Sequence, residues 1–343
     1  MAKGLDCGTS FYICADDNSI KKQRNAFLTV DGEPTQVKRM LKRQKIPFVE
    51  KTGKVHIVGQ HAFNYAQIFG SVDLRRPMKS GLLNPAERDS LPILNAIIGE
   101  LLGESTVKNE VVTYCIPAAP IDQERRVDYH EDVLKNIIEG YGYNVHVIEE
   151  AVALAYEGLV DNDLTGIAIS MGAGMCNIAV MYAGMKALSF SVARGGDWVD
   201  ENVSNDTGVS RAKVQHIKEN AKLIDLSSGV QKDIYEETEE QSNVLHAIRS
   251  YYGVLINYLL TNLTRQFEGA DKMPNFPDKV PIVFGGGTCL IKGFIDVFNE
   301  QFDQDVFPIP VKEIKIIEDA HTSIARGCLS EAQLIEEEEN EDN

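Results

Sequence analysis

The chain has 343 residues, 43% apolar and 25% charged, a length that suits two domains of roughly 150 residues better than one. Its formal net charge of −17 repels phosphate backbones and anionic lipid heads, which argues against nucleic acid or direct membrane binding. No run of roughly 18 apolar residues occurs, MAKGLDCGTS lacks an apolar signal core, and six scattered cysteines form no CxxC pair, so a cytoplasmic protein with reduced thiols is expected.

The predicted elements alternate strand and helix, the pattern of an α/β fold. GLDCGTSFYICADD opens the chain as strand, turn and strand. Residues 48–59, FVEKTGKVHIVG, predict a hairpin turning at Thr52-Gly53. Between Ala86 and Gly103, Leu91, Leu94, Ile97, Ile98 and Leu101 recur at helical spacing. VVTYCIPAAP reads as a buried strand, after which Asp122 offers an N-cap for a helix ending at Gly140. From Thr165 the segment GIAISMGAGMCNIAVMYAGMKALSFSV repeats the opening strand–glycine–strand grammar, so the two halves read as internal duplicates. Residues 199–265 are mostly polar and helical, and VPIVFGGGTCLIKGFIDVF follows as buried strand, three glycines and helix. Glu336 to Glu339 with Glu341 and Asp342 form a like-charge block, which predicts a disordered acidic tail over 336–343.

Three glycine-marked turns follow buried strands: at Gly8, at Gly172 and Gly174, and at Gly285 to Gly287. Glycine lets the backbone approach a phosphate with its N–H groups pointing at the anion. In the third turn a helix start adds a positive end. A single such turn is more often a plain tight β-turn, but three in one chain, each following an apolar strand, are much harder to attribute to turns. No GxxxxGK[ST] occurs, so the chain is not a P-loop protein. GAGMCN has Asn177 where a dinucleotide fingerprint needs its third glycine, and it leads into a strand instead of a helix.

In order along the chain, GLDCGTS (4–10), RRPMKSGLL (75–83), IPAAPIDQERR (116–126), VIEEAVALAYEG (147–158), ISMGAGMCNIAV (169–180), ENAK (219–222), VFGGGTCLIKGF (283–294) and ARGC (325–328) resemble motifs of the actin-like ATPase superfamily. The resemblance is greatest to bacterial and archaeal MreB-like proteins. It implies the two-domain actin and heat-shock-chaperone fold, with duplicated ribonuclease H-like domains and a nucleotide cleft between them. Domain I would cover 1–150, with a small subdomain near 30–72 and a closing helix near 318–335. Domain II would cover 151–317, with a small subdomain near 190–250.

Residue by residue, the resemblance implies that Asp6 holds Mg²⁺ through its water shell and that Gly8, Thr9 and Ser10 surround the terminal phosphates of ATP or ADP. Gly172, Ala173, Gly174 and Asn177 would wrap the phosphates from the second domain, with Gly195 beside them. Glu219 and Lys222 would reach the ribose or base, and Gly285, Gly286 and Gly287 would let adenine lie on the backbone. Glu150 stands where the family positions the attacking water, and phosphoryl transfer depends on such positioning. Asp6 also suits a turn, Glu150 a helix start, and Glu219 with Lys222 a surface ion pair.

Four positions depart from the family: Ser170 replaces an aspartate, Met175 and Cys176 replace threonines, and Ala151 replaces a proline. Loss of the aspartate implies slow hydrolysis. The resulting expectation is a cytoskeletal ATPase that forms homopolymeric filaments, with adaptor proteins as further partners. Its rivals are a non-polymerising nucleotide sensor or scaffold and a chaperone-type ATPase. Only about fifteen residues follow the last motif, which leaves no room for a peptide-binding domain.

Overall fold

The computed structural model describes residues 2–69, 74–220, 225–226, 239–270 and 274–341. Two units emerge: Met1–Ile116 with Arg126–Glu149 and Ala325–Asn343, and Pro117–Arg125 with Glu150–Ile324.

Unit 1 opens with β1 (Lys3–Cys7), β2 (Phe11–Ala15), β3 (Ile20–Arg24) and β4 (Phe27–Val30), followed by α1 (Pro34–Arg43). Then come β5 (Phe48–Lys51), β6 (Lys54–Val58), α2 (Gly59–Phe69), β7 (Met78–Lys79), β8 (Leu82–Leu83) and α3 (Ser90–Leu102). The unit continues with β9 (Val111–Ile116), α4 (Asp128–Glu139) and β10 (Asn144–Glu149). All six residues of β9 are buried, as a strand covered on both faces requires. The expected hairpin is present, with Thr52 and Gly53 both at positive φ between β5 and β6, the geometry of a two-residue turn. Leu28, Leu41, Ile57 and Ala62 form a separate small core under the β4–β6–β5 sheet.

Unit 2 contains α5 (Glu150–Gly158), β11 (Gly166–Met171), β12 (Cys176–Tyr182), β13 (Met185–Val192), α6 (Gly196–Thr207) and α7 (Arg211–Glu219). It continues with α8 (Glu239–Glu268), β14 (Val280–Gly285), α9 (Phe294–Gln301) and β15 (Val311–Ile316). Both faces of β11 and β14 are buried, and Phe284, Phe294 and Phe298 meet there in edge-on contacts at about 5 Å.

The duplication read from the sequence is explicit in the sheets. Unit 1 orders its strands β10-β9-β1-β2-β3 and unit 2 orders them β15-β14-β11-β12-β13. In each, an antiparallel three-strand meander is extended by two parallel strands. The two glycine turns that resemble phosphate loops, β1 to β2 and β11 to β12, therefore occupy equivalent places.

The last helix, α10 (Ser323–Glu341), corrects the expected tail: residues 336–341 are helical. Glutamate is a good helix former, and like-charge neighbours cost only a few tenths of a kcal/mol per pair. Ala332 is buried with Ala2 and Val111, and the Asn144 amide donates to Glu339 at 2.8 Å. Gly4 is the close contact: a Cβ there would lie 2.1 Å from the Ala325 carbonyl oxygen. A second correction concerns Asp122, which caps no helix. Its carboxylate accepts from the Ala193 amide at 2.7 Å and from the Tyr258 hydroxyl at 3.2 Å, and the helix starts later, at Asp128.

Candidate functional site

In unit 1 the turn after β1 is braced from two sides. The Asn25 side chain donates to the Gly8 carbonyl at 3.1 Å, and its backbone amide donates to Ser10 at 3.0 Å. The Gly81 amide, in the turn between β7 and β8, donates to Thr9 Oγ1 at 3.2 Å. The two segments 4–10 and 75–83 thus meet in the structure. A Cβ on Gly8 would come 2.7 Å from the Phe11 carbonyl, so the turn needs glycine there. Asp6 is buried at the end of β1, 8% exposed, with the Cys115 thiol donating to its Oδ1 at 3.5 Å.

In unit 2, three backbone segments knit together. Gly172 and Ala173 give their carbonyls to the amides of Gly196 and Asp197 at 3.0 and 2.8 Å. Thr288 Oγ1 donates to the same Gly172 carbonyl at 2.9 Å. Gly195 has no room for a side chain, since a Cβ would lie 2.5 Å from Gly172 O and 2.7 Å from Ala173 O. A Cβ on Gly286, at φ +87°, would come equally close, 2.5 Å from the Met171 carbonyl oxygen. The structure therefore brings together Gly172, Ala173, Gly195 and Gly286, four of the residues singled out from the sequence.

Glu150, the first residue of α5, meets the same sheet. Its Oε1 accepts from the Ser170 hydroxyl at 2.5 Å and its Oε2 from the Asn177 amide at 2.9 Å. Asn177 in turn accepts from the Ala118 amide at 3.3 Å, which fixes its orientation. The Glu150 residue keeps partial exposure, but desolvation of its carboxyl pushes the pKa up to about 7, against the lowering pull of the Ser170 hydrogen bond. A carboxyl poised near neutrality, with both oxygens oriented, suits proton transfer with a nearby water. Ser170 itself is fully buried, with its hydroxyl committed to Glu150.

Other singled-out residues fall elsewhere. Glu219 accepts from Gln215 at 2.7 Å along α7, a surface pair one helical turn apart. Lys222 lies outside the described residues. Gly285 is a packing glycine, since a Cβ would meet Leu154 at 2.4 Å. Gly174 is buried in the β11–β12 turn, and Gly287 begins a short 3₁₀ turn, Gly287–Leu290. The α-helix expected to open directly from these glycines starts only at Phe294.

The sequence reading missed Lys218. Its ammonium donates to the Gly196 carbonyl at 2.8 Å and pairs with buried Asp200 at 2.7 Å, tying α6 and α7 to the glycine cluster. Burial raises the Asp200 carboxyl above its ordinary range, while Lys218 opposes that shift. His321 flanks Gly287, its ring 3.9 Å from where a side chain would begin.

The donor set in unit 1 fits a magnesium ion that keeps most of its water. Mg²⁺ is usually held by one or two carboxylates plus phosphate oxygens, and Asp6 supplies one. Among the described residues no cluster of three His, Cys, Asp or Glu forms a dedicated protein cage. All six cysteines are buried. Among the described residues no helix is long and apolar enough to cross a membrane.

A family model described as Volactin matches residues 1–332. The chain belongs to the volactin family. Comparison with curated protein sequences gives no match. Among solved structures, this volactin-family chain is similar to the MamK double helical filament, at TM-score 0.71 and 16% identity over 97% of this chain and 98% of that one. It is similar also to MreB 5 of Spiroplasma citri bound to AMPPNP, at TM-score 0.66 and 16% identity, covering 100% and 98%. The ethanolamine utilization protein EutJ from Carboxydothermus hydrogenoformans follows at TM-score 0.52 and 15% identity, covering 95% and 88%. At such identities the likeness establishes the fold: α/β, two-domain and actin-like, as the sequence motifs implied.

Proposed function

We propose that this volactin-family chain is an actin-like, MreB-like cytoskeletal ATPase of the cytoplasm. It binds ATP with Mg²⁺ through the glycine turns of both units and uses the nucleotide to switch its assembly into filaments of its own copies. The observation that carries this reading is the knot of Gly172–Ala173, Gly195–Asp197 and Gly286–Thr288, where closely passing backbones leave no room for a side chain at Gly195 or Gly286. Such surfaces suit phosphate and a flat base. Further support comes from similar folds: MreB 5 of Spiroplasma citri is bound to AMPPNP in one structure and ADP in another, and MamK forms a double helical filament.

Each residue has a task in this reading. Thr9 and the amides after Gly8 receive the terminal phosphates, and Asp6 holds the hydrated ion. Mg²⁺, when bound, neutralises phosphate charge. Glu150, oriented by Ser170 and Asn177, takes a proton from the attacking water. Ser170 adds no charge to the metal's surroundings, so turnover is slow.

The uncharged Ser170, its hydroxyl committed to Glu150, favours a second reading, a non-polymerising nucleotide sensor of the same fold. Sedimentation of the full chain, with and without ATP and Mg²⁺, separates the two. Nucleotide-dependent pelleting supports the filament; a nucleotide-dependent rise in melting temperature with no pelleting at any salt supports the sensor. A chain that neither pellets nor shifts its melting with ATP overturns both.

A further inference from the structure

One face of α8 borders a groove of about 810 Å³, closed on its other side by α9. The groove is cationic in a chain of net charge −17. Arg194 lies over the Tyr258 ring at 3.6 Å, and Arg249 makes a two-pronged contact with Glu300 at 2.6 and 2.8 Å. Arg265 is exposed, and among the described residues it has no ion-pair partner. Among the described residues Glu300, already paired with Arg249, is the single acidic residue lining the groove, and Val254 adds an apolar surface that is 49% exposed.

The complementary surface is carried by the same chain. On α10, Leu334 is 53% exposed, and Glu337, Glu338 and Glu341 are exposed as well. These positions follow one another at i, i+3, i+4 and i+7, which places them on one helical face. That face offers one apolar anchor and three carboxylates, the chemical inverse of a groove with Val254 and three arginines.

We propose that the α8–α9 groove of one copy receives the Leu334–Glu341 face of α10 from a second copy. The proposal rests on the filament reading above and names one contact within it. Leu334 packs against Val254 while the carboxylates face the arginines. Groove and helix face are different surfaces, so the contact is heterologous: a docked pair keeps one free groove and one free face, to which further copies add. The contact also offsets the like-charge repulsion between copies by pairing each copy's most acidic segment with a cationic groove.

The test is pelleting of the full chain with ATP and Mg²⁺ across protein concentrations. Arg249→Glu with Arg265→Glu should raise the threshold for assembly by about tenfold or more, roughly the loss of 1.4 kcal/mol per contact. Glu337→Lys with Glu338→Lys should do the same, and both pairs of changes in one chain should restore assembly. Arg265, Glu337 and Glu338 are exposed, so Arg265→Glu alone and the Glu337→Lys, Glu338→Lys pair should keep melting temperatures and the ATP-induced shift near wild type. Arg249 is half-buried against Glu300, and its change is read through the restored assembly of the combined variant. Charge variants that assemble like wild type would overturn this contact and leave the filament reading intact, with a foreign acidic segment as the groove's occupant. Wild type that never pellets would overturn both. A lower threshold after removal of residues 336–343 would show that the acidic turns only repel, and would also sink the proposal.

Discussion

Ser170 donates its hydroxyl to Glu150 across 2.5 Å, which ties one of the residues that depart from the family pattern, near the end of β11, to the candidate catalytic base. The sequence comparison implies that Ser170 merely lacks a carboxylate. In the fold it has a task of its own, orienting Glu150 and holding its proton affinity down.

The pH dependence follows from that carboxyl. Glu150 must be ionised to accept a proton, so hydrolysis should rise with pH through about 7, the value to which desolvation pushes it. Stability runs the other way. An acid whose pKa is higher in the fold than in the unfolded chain contributes stability in full below 4.5, and that contribution is lost as pH rises through about 7. Glu150→Gln should therefore melt like wild type at acidic pH. At pH 8 it should melt a few degrees higher, for a gain of about 1 kcal/mol after discounting for partial exposure. ATP binding should survive the substitution while phosphate release is lost. Equal melting at both pH values would mean that the carboxyl is not desolvated.

Nucleotide binding should be visible as stabilisation. At a hundredfold excess over its dissociation constant, ATP with Mg²⁺ should add about 2.7 kcal/mol to stability. Asp6→Ala should remove most of that shift in a thermal melt with Mg²⁺ and much less of it with EDTA present. A wild-type melting curve unmoved by millimolar ATP and Mg²⁺ would rule out the nucleotide reading.

How much of this was legible in the sequence depends on the range of each interaction. The glycine turns and the strand pairs around them carry local signals, and the duplicated sheet order follows from them. Asp122 also looks local, an N-cap before a helical pattern, but its partners lie 71 and 136 residues downstream. Lys218 is indistinguishable in sequence from any lysine on a polar helix. Only the packing of α7 against α6 reveals its ion pair with Asp200. The acidic run at 336–341 reads as disorder by charge alone, whereas Ala332 and Asn144 anchor the helix that carries it.

The glycine cluster makes a steric prediction. Gly195→Ala would press a methyl group against two backbone carbonyls, at 2.5 and 2.7 Å, so the backbone itself must move. Such overpacking costs about 1–3 kcal/mol, and here it should also abolish the ATP-induced melting shift. Gly208→Ala is the matched control. Its φ of +72° makes alanine strained, but nothing lies within 4 Å of the new atom. It should lower stability and keep the nucleotide response. If Gly195→Ala also keeps the full response, the knot of turns is a folding feature and not a ligand surface.

The sharpest test is Ser170→Asp, because the family comparison and the structure forecast opposite outcomes. A second carboxylate that faced the metal would speed hydrolysis, by about tenfold or more if it restored a preorganised charge. In this fold the new carboxylate would instead occupy the place of a hydroxyl that sits 2.5 Å from Glu150 Oε1. Two carboxyl groups in contact cannot both ionise near neutrality, so the pair would hold one shared proton and Glu150 would ionise at higher pH. Phosphate release at pH 7 should fall, and the rising limb of the pH profile should move up by about one unit or more. Ser170→Ala, which removes the hydrogen bond without adding charge, should move the limb upward by less. A tenfold gain at pH 7 with the limb unmoved would mean that residue 170 turns toward the metal once nucleotide binds, and the Ser170–Glu150 pair would then belong to the nucleotide-free state alone.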